Sequence, residues 1–236
     1  MIERMAWDSN FFGLEIGRYQ MNLSENPGSV DQLLSASPFD VVYLLQDQPS
    51  NRRISEIECI APLADRKLTF RKQVSPVDVL CGQEVLPYDG SLNNDLLELA
   101  LMSGEYSRFN LDMKFRPYFR KLYTAWIQKS LSGEMADAVY VARSGTDMTG
   151  FITLVKKNHT GQIGLVAVHP DYRGMGVASS LMKVAHAWFL RQGCEDATVV
   201  TQRDNRPACW LYEKCGYALS SETAIFHWWK TQGEIR

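Results

Sequence analysis

Hydrophobic and polar positions follow two different periods in the C-terminal part of the chain. Apolar residues recur every three or four positions over roughly 92–103 and 117–131, which predicts two amphipathic helices. The period then shortens in Ala138–Arg143, Gly150–Lys156 and Gln162–Val168, which are short apolar runs separated by turn residues. Short connections between such runs predict an antiparallel meander of three strands.

Helix and strand patterns alternate after the meander. The predicted elements are a helix over 175–192, a strand at Ala197–Thr201, a helix over about 206–215 capped by Asn205, and a final strand at Ala224–Trp229. A strand, a helix and a strand in succession predict that Ala197–Thr201 lies parallel to Gln162–Val168. The resulting sheet is mixed, and ligands bind open sheets at the point where the direction of the chain changes.

The N-terminal part is a smaller α/β unit. Its predicted strands are Phe11–Gly17, Val41–Leu45 and Arg66–Val74. A segment with two prolines and two glycines, 75–91, predicts the connection to the second half. We therefore expect an α/β (α+β) protein with domains over 1–80 and 90–236, the second having a mostly antiparallel mixed sheet flanked by helices.

Composition narrows the function classes. The 236 residues are 45% hydrophobic and 22% charged, as in ordinary globular proteins. A net charge of −2 argues against general nucleic-acid binding, which needs a basic surface. The N-terminus has no apolar stretch suited to a signal peptide, and no run approaches the ~20 apolar residues that span a bilayer. We expect a cytoplasmic protein with neither membrane nor nucleic-acid partners.

Cysteines and histidines do not form a recognisable site in the sequence. The five cysteines are an odd number without a C-x-x-C pair, and the four histidines have no metal-ligand spacing. This pattern disfavours a disulfide framework and a zinc site. We therefore expect no metal cofactor.

The segment Val166–Ala178 carries the strongest chemical signal. A β-branched run leads into Arg173-Gly-Met-Gly-Val-Ala and then into a helix, so that free backbone amides gather at one point. Such a point suits a diphosphate. A tight loop without a ligand is the simpler alternative. A dinucleotide-binding turn is disfavoured, because Ser179 replaces the third glycine and a meander precedes the turn.

This segment resembles the acetyl-CoA motif of the GNAT superfamily, the GCN5-related N-acetyltransferases. In that family the motif reads [Arg/Gln]-x-x-Gly-x-[Gly/Ala], which Arg173, Gly176 and Ala178 match. The resemblance implies the GNAT fold and acetyl-CoA as co-substrate. It also implies that a coenzyme A diphosphate is held by Arg173, Gly174, Gly176, Val177, Ala178 and Ser179. Val166 and Val168 would bind the pantetheine arm, in a gap where two neighbouring strands separate.

The segment Asn205–Tyr217 supplies the second half of the resemblance. It is similar to the GNAT pattern Asn-x-x-Ala-x-x-x-Tyr-x-x-x-Gly-[Phe/Tyr], and all five positions match. The resemblance implies that Asn205 reaches the pantetheine or the helix end and that Tyr212 approaches the thioester sulfur. The alternatives are a plain helix cap for Asn205 and a core aromatic residue for Tyr212.

The mechanism implied is direct attack of a neutral amine on the acetyl carbonyl. A backbone N–H near Val166 would stabilise the oxyanion. Tyr212 would protonate the leaving thiolate, since phenols titrate near ~10 and thiols near ~8.5, without a strongly perturbed pKa. For the base that accepts the amine proton, we favour Asp65 over Glu56 and Glu58, because it lies just before a predicted strand. A surface role is the alternative for each.

Two further segments point to the acceptor. Trp7-Asp-Ser-Asn-Phe-Phe-Gly and Glu105-Tyr-Ser-Arg-Phe resemble the TDP-fucosamine acetyltransferases, which implies as acceptor the amine of a dTDP-4-amino-4,6-dideoxyhexose. The substrate residues implied are Trp7, Ser107, Arg108, Phe109 and Tyr118. A guanidinium suits a phosphate, and aromatic rings suit a base or sugar. The alternatives are core packing for the aromatic residues and a solvated role for the arginine.

Three questions stay open in the sequence. The acceptor is a nucleotide-linked amino sugar in our interpretation, with another small amine or a protein N-terminus as alternatives. A non-catalytic acyl-CoA-binding module is a second class, disfavoured by the presence of Tyr212. Trp228 and Trp229 lie either in the core or in a strand that extends the sheet between the subunits of a homodimer.

Overall fold

The computed structural model describes residues 1–75 and 84–230, which form two compact units. The first unit contains Met1–Leu68 and the C-terminal segment that starts at Ser221. The second contains Thr69–Ser220. Each boundary falls inside a strand, so that the final part of the chain belongs with its first part.

The first unit is a small sheet with three helices. Its helices are α1 (Ala6–Phe12), α2 (Pro27–Ser35) and α3 (Asn51–Glu58), and its strands are β1 (Glu3–Arg4), β2 (Ile16–Gln20), β3 (Val41–Asp47) and the parts of β4 (Leu63–Gln73) and β10 (Ala218–Trp229) within the unit. The strand order is β1-β2-β3-β10-β4. Strand β3 is parallel to β2 and antiparallel to β10.

Local chemistry explains where the N-terminal predictions succeed and fail. The strands predicted at Val41–Leu45 and Arg66–Val74 are confirmed as β3 and β4. The strand predicted at Phe11–Gly17 is wrong except at Ile16 and Gly17, which begin β2. Phe11 instead lies on α1, four residues after Trp7, and the two rings stack at 5.0 Å. Helices α2 and α3 were not predicted.

Trp228 belongs to the core of the first unit. Its side chain is 5% exposed, and its indole nitrogen donates to an oxygen of Asp31 at 3.0 Å. Strand β10 lies between β3 and β4 in the sheet, so both of its edges are occupied. Extension of this strand into a partner subunit is therefore not available, and the core alternative is correct for Trp228.

The second unit contains the rest of the described elements. Its helices are α4 (Asn94–Ser103), α5 (Arg108–Leu111), α6 (Phe119–Leu131), α7 (Val177–Arg191) and α8 (Arg206–Lys214), with short 3-10 turns at Arg116–Tyr118 and Pro170–Tyr172. Its strands are β5 (Glu84–Pro87), β6 (Ala138–Ser144), β7 (Asp147–Lys157), β8 (Thr160–Val168) and β9 (Asp196–Gln202), in the order β4-β9-β8-β7-β6-β5.

The predictions for this unit are largely confirmed. Strands β6, β7 and β8 form the antiparallel meander, and β9 is parallel to β8. The helix predicted from residue 117 begins as a 3-10 turn, and helix α5 and strand β5 were not predicted. Part of the predicted connection, residues 76–83, lies outside the described residues.

Helices cover both faces of this sheet. Leu96 and Leu99 of α4 and Ile127 of α6 form a buried cluster with Phe151 of β7. On the other face α7 packs so closely that a Cβ atom at Gly161 would collide with the ring of Phe189. Among the described residues, no helix combines the length and the apolar character needed to cross a bilayer.

Candidate active site

Strand β8 contains an irregularity in the middle of the sheet. Ile152 pairs with Val166, whereas Leu154 pairs with Ile163, so Thr153 faces two residues of β8. This is the pattern of a β-bulge, which bends a strand and changes its twist. The parallel pairing of β8 with β9 also ends at this level, with Ile163 opposite Val199 as the last pair.

The two strands separate beyond that pair. Residues 165–168 of β8 are only half-buried, although the strand has a neighbour on each side. Val200 of β9 is 48% exposed. Apolar side chains of a central strand are normally buried, so this exposure indicates an accessible gap between the two strands.

The bulge determines which backbone amides point into this gap. The amide of Leu165 donates to the hydroxyl of Thr153 at 2.8 Å, and the amide of His169 donates to the carbonyl of Thr149 at 2.8 Å. Both acceptors belong to β7. Because successive amides of a strand point to alternate sides, those of Val166 and Val168 point away from β7 and toward β9.

The loop after β8 presents backbone to open space. Gly174 and Gly176 have φ values of +79° and +83°, a left-handed conformation that favours glycine. A Cβ atom on either would meet nothing within 4 Å. Helix α7 starts directly afterwards, and no side chain caps its amino terminus. Free amides and a positive helix end fit a diphosphate group.

The remaining predicted cradle residues surround this helix start. Arg173 is exposed and donates from Nε to the carbonyl of Val168 at 3.3 Å, which links the loop to the end of β8. Val177 is buried, whereas Ala178 and Ser179 are half-buried in the first turn of α7. The structure therefore brings all the predicted cradle residues to one end of α7.

Tyr212 lies on α8 within an aromatic cluster. Asn205 caps this helix, because its side-chain oxygen accepts a hydrogen bond from the amide of Ala208 at 3.3 Å. This is the helix cap that the sequence left open as the alternative role of Asn205. The Tyr212 side chain is 2% exposed, and its ring lies 5.7 Å from Phe70 and 6.2 Å from Tyr217. The two segments of the motif thus lie in the same unit as the gap.

The expectation of an ordinary pKa for Tyr212 is wrong. Burial is the largest cause that raises the pKa of its hydroxyl, and the nearby thiols of Cys209 and Cys215 raise it further. A low-dielectric environment disfavours the phenolate form. The hydroxyl therefore keeps its proton throughout the physiological pH range and is available as a donor.

A buried pair of ring side chains lies behind Tyr212. The hydroxyl of Tyr217 and Nε2 of His186 on α7 are 2.8 Å apart. Burial, with a smaller effect from Lys72, lowers the pKa of His186 to about 4, so the imidazole is neutral at physiological pH. Lys72 itself donates to the carbonyl of Cys215 at 2.7 Å and so stabilises the end of α8.

The predicted acceptor residues of the second unit lie around α5. Ser107 precedes this helix, is 6% exposed, and its hydroxyl has no hydrogen-bond partner among the described residues. The guanidinium of Arg108 lies 4.5 Å from the ring centre of Phe109. Phe109 is itself buried, which favours core packing for its ring, whereas Tyr118 is half-buried.

Two predicted site residues belong to the first unit. Trp7 is 40% exposed on α1, and Asp65 is half-buried near the start of β4. The alternative base Glu56 forms ion pairs with Arg52 and Arg53. The hydrogen bond from Arg53 and, to a smaller extent, the one from Arg52 lower the pKa of Glu56. Its carboxylate is therefore a weaker base.

Sequence reasoning missed the residues that form the bulge and those behind Tyr212. An isolated glycine in a strand is a signal for a bulge, and Gly164 follows Ile163 within a predicted strand. No comparable signal marks Thr153, His186 or Lys72, because only the fold brings them next to their partners. Among the described residues there is also no cluster of metal-binding side chains.

Comparison with known proteins finds acetyltransferases that resemble part of this chain. Residues 104–217 match the sequence model of the acetyltransferase (GNAT) family. The streptothricin acetyltransferase of Escherichia coli is 34% identical over 107 residues, which are 39% of this chain and 62% of that protein. An acetyltransferase of Sodalis glossinidius is 28% identical over 38% of this chain and 63% of its own length. The chain thus spans less than two thirds of these relatives.

Solved structures share the fold over most of the chain. A GCN5-related N-acetyltransferase from Sphaerobacter thermophilus has a TM-score of 0.52 at 14% identity, over 84% of this chain and 63% of that one. A tandem GNAT protein from the clavulanic acid biosynthesis pathway has a TM-score of 0.54 at 11% identity, over 93% and 76%. The chain therefore has the GNAT fold, and its residues 104–217 resemble the GNAT family of acetyltransferases.

Proposed function

We propose that the protein is an N-acetyltransferase that uses acetyl-CoA and acts on a nucleotide-linked amino sugar. The observation that supports the first part is the pair of open, left-handed glycines at 174 and 176, followed by the uncapped start of α7. The gap between β8 and β9 begins beyond their last pair, Ile163 with Val199, and β8 leads directly into the glycine loop. A cradle that binds an anion and a slot for an extended chain are what coenzyme A requires.

The residues present fit acetyl-CoA in three respects. The amides of Gly176, Val177 and Ala178 would hold its diphosphate, with Arg173 beside them. The amides of Val166 and Val168 would bind the amides of its pantetheine arm, and the Val166 amide would lie near the acyl oxygen. Acetyl-CoA supplies an activated thioester whose acetyl group an amine can accept.

Tyr212 supplies the proton that the leaving sulfur needs. Its buried hydroxyl stays protonated at neutral pH, since burial raises its pKa. In a site that excludes water, a donor aimed at the sulfur stabilises charge as the bond to the acetyl group breaks. Asp65, in the first unit, is the base that we propose for the amine proton, with water as the carrier.

The charge of one segment supports an anionic acceptor. Residues 104–121 carry five basic side chains and two acidic ones, in a chain with a net charge of −2. Lys114, Arg116, Arg120 and Lys121 are exposed. The planar guanidinium of Arg108 suits a phosphate oxygen pair, and Trp7, Ser107 and Tyr118 are the remaining proposed substrate residues, whereas the buried ring of Phe109 packs against Phe115 and Trp126. A dTDP-4-amino-4,6-dideoxyhexose combines a diphosphate with a free amine.

A second candidate acceptor is streptothricin. The observation that favours it is the 34% identity to the streptothricin acetyltransferase of Escherichia coli. That match covers only 39% of this chain, and similarity within a fold does not by itself transfer a substrate.

Thiol release from acetyl-CoA tests both candidates in one assay. The purified protein is incubated with acetyl-CoA and a panel of dTDP- and UDP-linked amino sugars, streptothricin, polyamines and peptides with free N-termini. We expect release to depend on a nucleotide amino sugar. Turnover with streptothricin alone would select the second candidate, and binding of coenzyme A without turnover on any amine would indicate a binding module.

A further inference from the structure

The bulge in β8 is held by a side chain rather than by the backbone ladder. The hydroxyl of Thr153, on the neighbouring strand β7, accepts the amide of Leu165 at 2.8 Å. Thr153 is 2% exposed, so this hydrogen bond is shielded from water. A backbone amide that loses its ladder partner inside a sheet would otherwise be left unsatisfied.

Gly164 makes room for that hydroxyl. A Cβ atom built on Gly164 would lie 2.7 Å from Oγ1 of Thr153, closer than such atoms approach. The glycine and the threonine therefore fit each other across the two strands. Neither has a role in the motifs that the sequence displays.

The consequence of the bulge is a change of register. Along β8, residues up to Ile163 keep the register in which Ile163 pairs with Leu154. Residues from Val166 onward keep a different register, in which Val166 pairs with Ile152. Without the extra residue, the first register would continue, and every side chain and amide beyond it would change sides. Leu165 and Ala167, instead of Val166 and Val168, would then direct their amides toward β9.

We propose that Thr153 is a positioning residue for acetyl transfer, whose hydroxyl holds the bulge and so directs the amides of Val166 and Val168 into the gap between β8 and β9. This inference rests on the proposed use of acetyl-CoA. Thr153 acts through the backbone of β8 and donates or accepts no proton of the reaction.

The chain offers a matched control on the same strand. Thr149 is 0% exposed, and its hydroxyl has no hydrogen-bond partner among the described residues. Thr149→Val and Thr153→Val both replace a buried hydroxyl with a methyl group of similar size. Only the second removes a hydrogen bond, and Thr153→Ser restores the hydroxyl while it removes a methyl group.

The experiment measures three properties in the full chain: calorimetric affinity for coenzyme A, kcat and KM for acetyl-CoA, and hydrogen exchange of the Leu165 amide by NMR. For Thr153→Val we expect exchange at Leu165 to accelerate, and affinity and kcat to fall roughly tenfold, as the loss of a buried hydrogen bond implies. Thr153→Ser should return both values to within about threefold of the original protein, and Thr149→Val should leave them unchanged.

Two results would overturn the inference. One is a Thr153→Val protein that binds coenzyme A as well as Thr149→Val does, and the other is a Thr153→Ser protein that fails to recover. A parent protein that does not bind coenzyme A would instead contradict the proposed function. In that case the exchange rate decides alone, since unchanged protection of Leu165 in Thr153→Val shows that the hydroxyl does not hold the bulge.

Discussion

The second unit contains two regions of the proposed site, and they are built in different ways. The acetyl-CoA side, from β8 to the start of α7, consists largely of backbone: amides, left-handed glycines and a helix end. The acceptor side, from Ser107 to Tyr118, consists of side chains on a short helix and a 3-10 turn. The match of residues 104–217 to the acetyltransferase (GNAT) family model includes both regions.

The difference shows how one fold serves many substrates. Backbone geometry is insensitive to most substitutions outside the glycines, so a cradle for a shared co-substrate persists while side chains elsewhere change. In the proposed function, specificity depends on Ser107, Arg108 and their neighbours. Substitutions on the two sides should therefore change different kinetic constants.

The largest effect should come from Tyr212, where the acetyl-CoA side meets the chemistry. Tyr212→Phe removes the proton donor and should lower kcat by roughly 10²–10³, with little change in KM for acetyl-CoA. Tyr88→Phe is the control, because that hydroxyl donates to the carbonyl of Ser91 outside the proposed site. Unchanged turnover in Tyr212→Phe would remove this residue from the mechanism.

The cradle should respond in binding rather than in turnover. Gly176→Ala adds a Cβ atom where the diphosphate must approach and should weaken coenzyme A binding about tenfold, or ~1.4 kcal/mol, by calorimetry. Gly133→Ala is closely matched, since Gly133 has a φ of +81° and equally open space. Both variants should lose about 1 kcal/mol of folding stability from backbone strain. Equal affinities in the two variants would argue against a cradle at Gly176.

The acceptor side should respond in the KM for the amine. Arg108→Gln removes a guanidinium and should raise the KM for a nucleotide amino sugar about fivefold, while affinity for coenzyme A stays the same. Arg120→Gln removes an equal charge from an exposed arginine of the same segment, which lies 3.9 Å from Glu98. An identical rise in both variants would mean that general charge, rather than a contact at Arg108, attracts the acceptor.

Acid should destabilise the fold through His186, on the helix whose start forms the acetyl-CoA side. His186 lies on α7 and has a folded pKa of about 4, against about 6.5 when unfolded. The unfolded chain therefore binds the extra proton between these values, and stability falls as the pH drops from 6.5 to 4, by on the order of 2–3 kcal/mol. Residues 104–121 contain no histidine.

Denaturant unfolding at several pH values checks this dependence. His186→Gln should flatten the curve between pH 6.5 and 4, because an amide does not titrate. His159→Gln should keep the original slope, since His159 is exposed and lies 3.8 Å from Glu195. A slope that survives in His186→Gln would assign the acid sensitivity to other groups.

Much of the second unit was predictable because its elements are local. The meander, α7 and α8 follow from hydrophobic period, turn residues and capping at Asn205, and each of these acts over a few residues. The acetyl-CoA motif was visible for the same reason, since its glycines, amides and helix start are consecutive in the chain. The raised pKa of Tyr212 was not visible, because burial depends on what packs around α8.

The sequence by itself determined the order of strands and helices from β6 to β10, the position of the glycine loop and the resemblance of residues 104–217 to the GNAT family. Only the tertiary structure decided that β10 completes the first unit, that Thr153 holds Leu165, and that Tyr217 reaches His186. The physical reason is the distance along the chain over which each effect acts. Propensity and periodicity act between near neighbours, whereas these contacts join residues 12 and 31 positions apart, or strands from opposite ends of the chain.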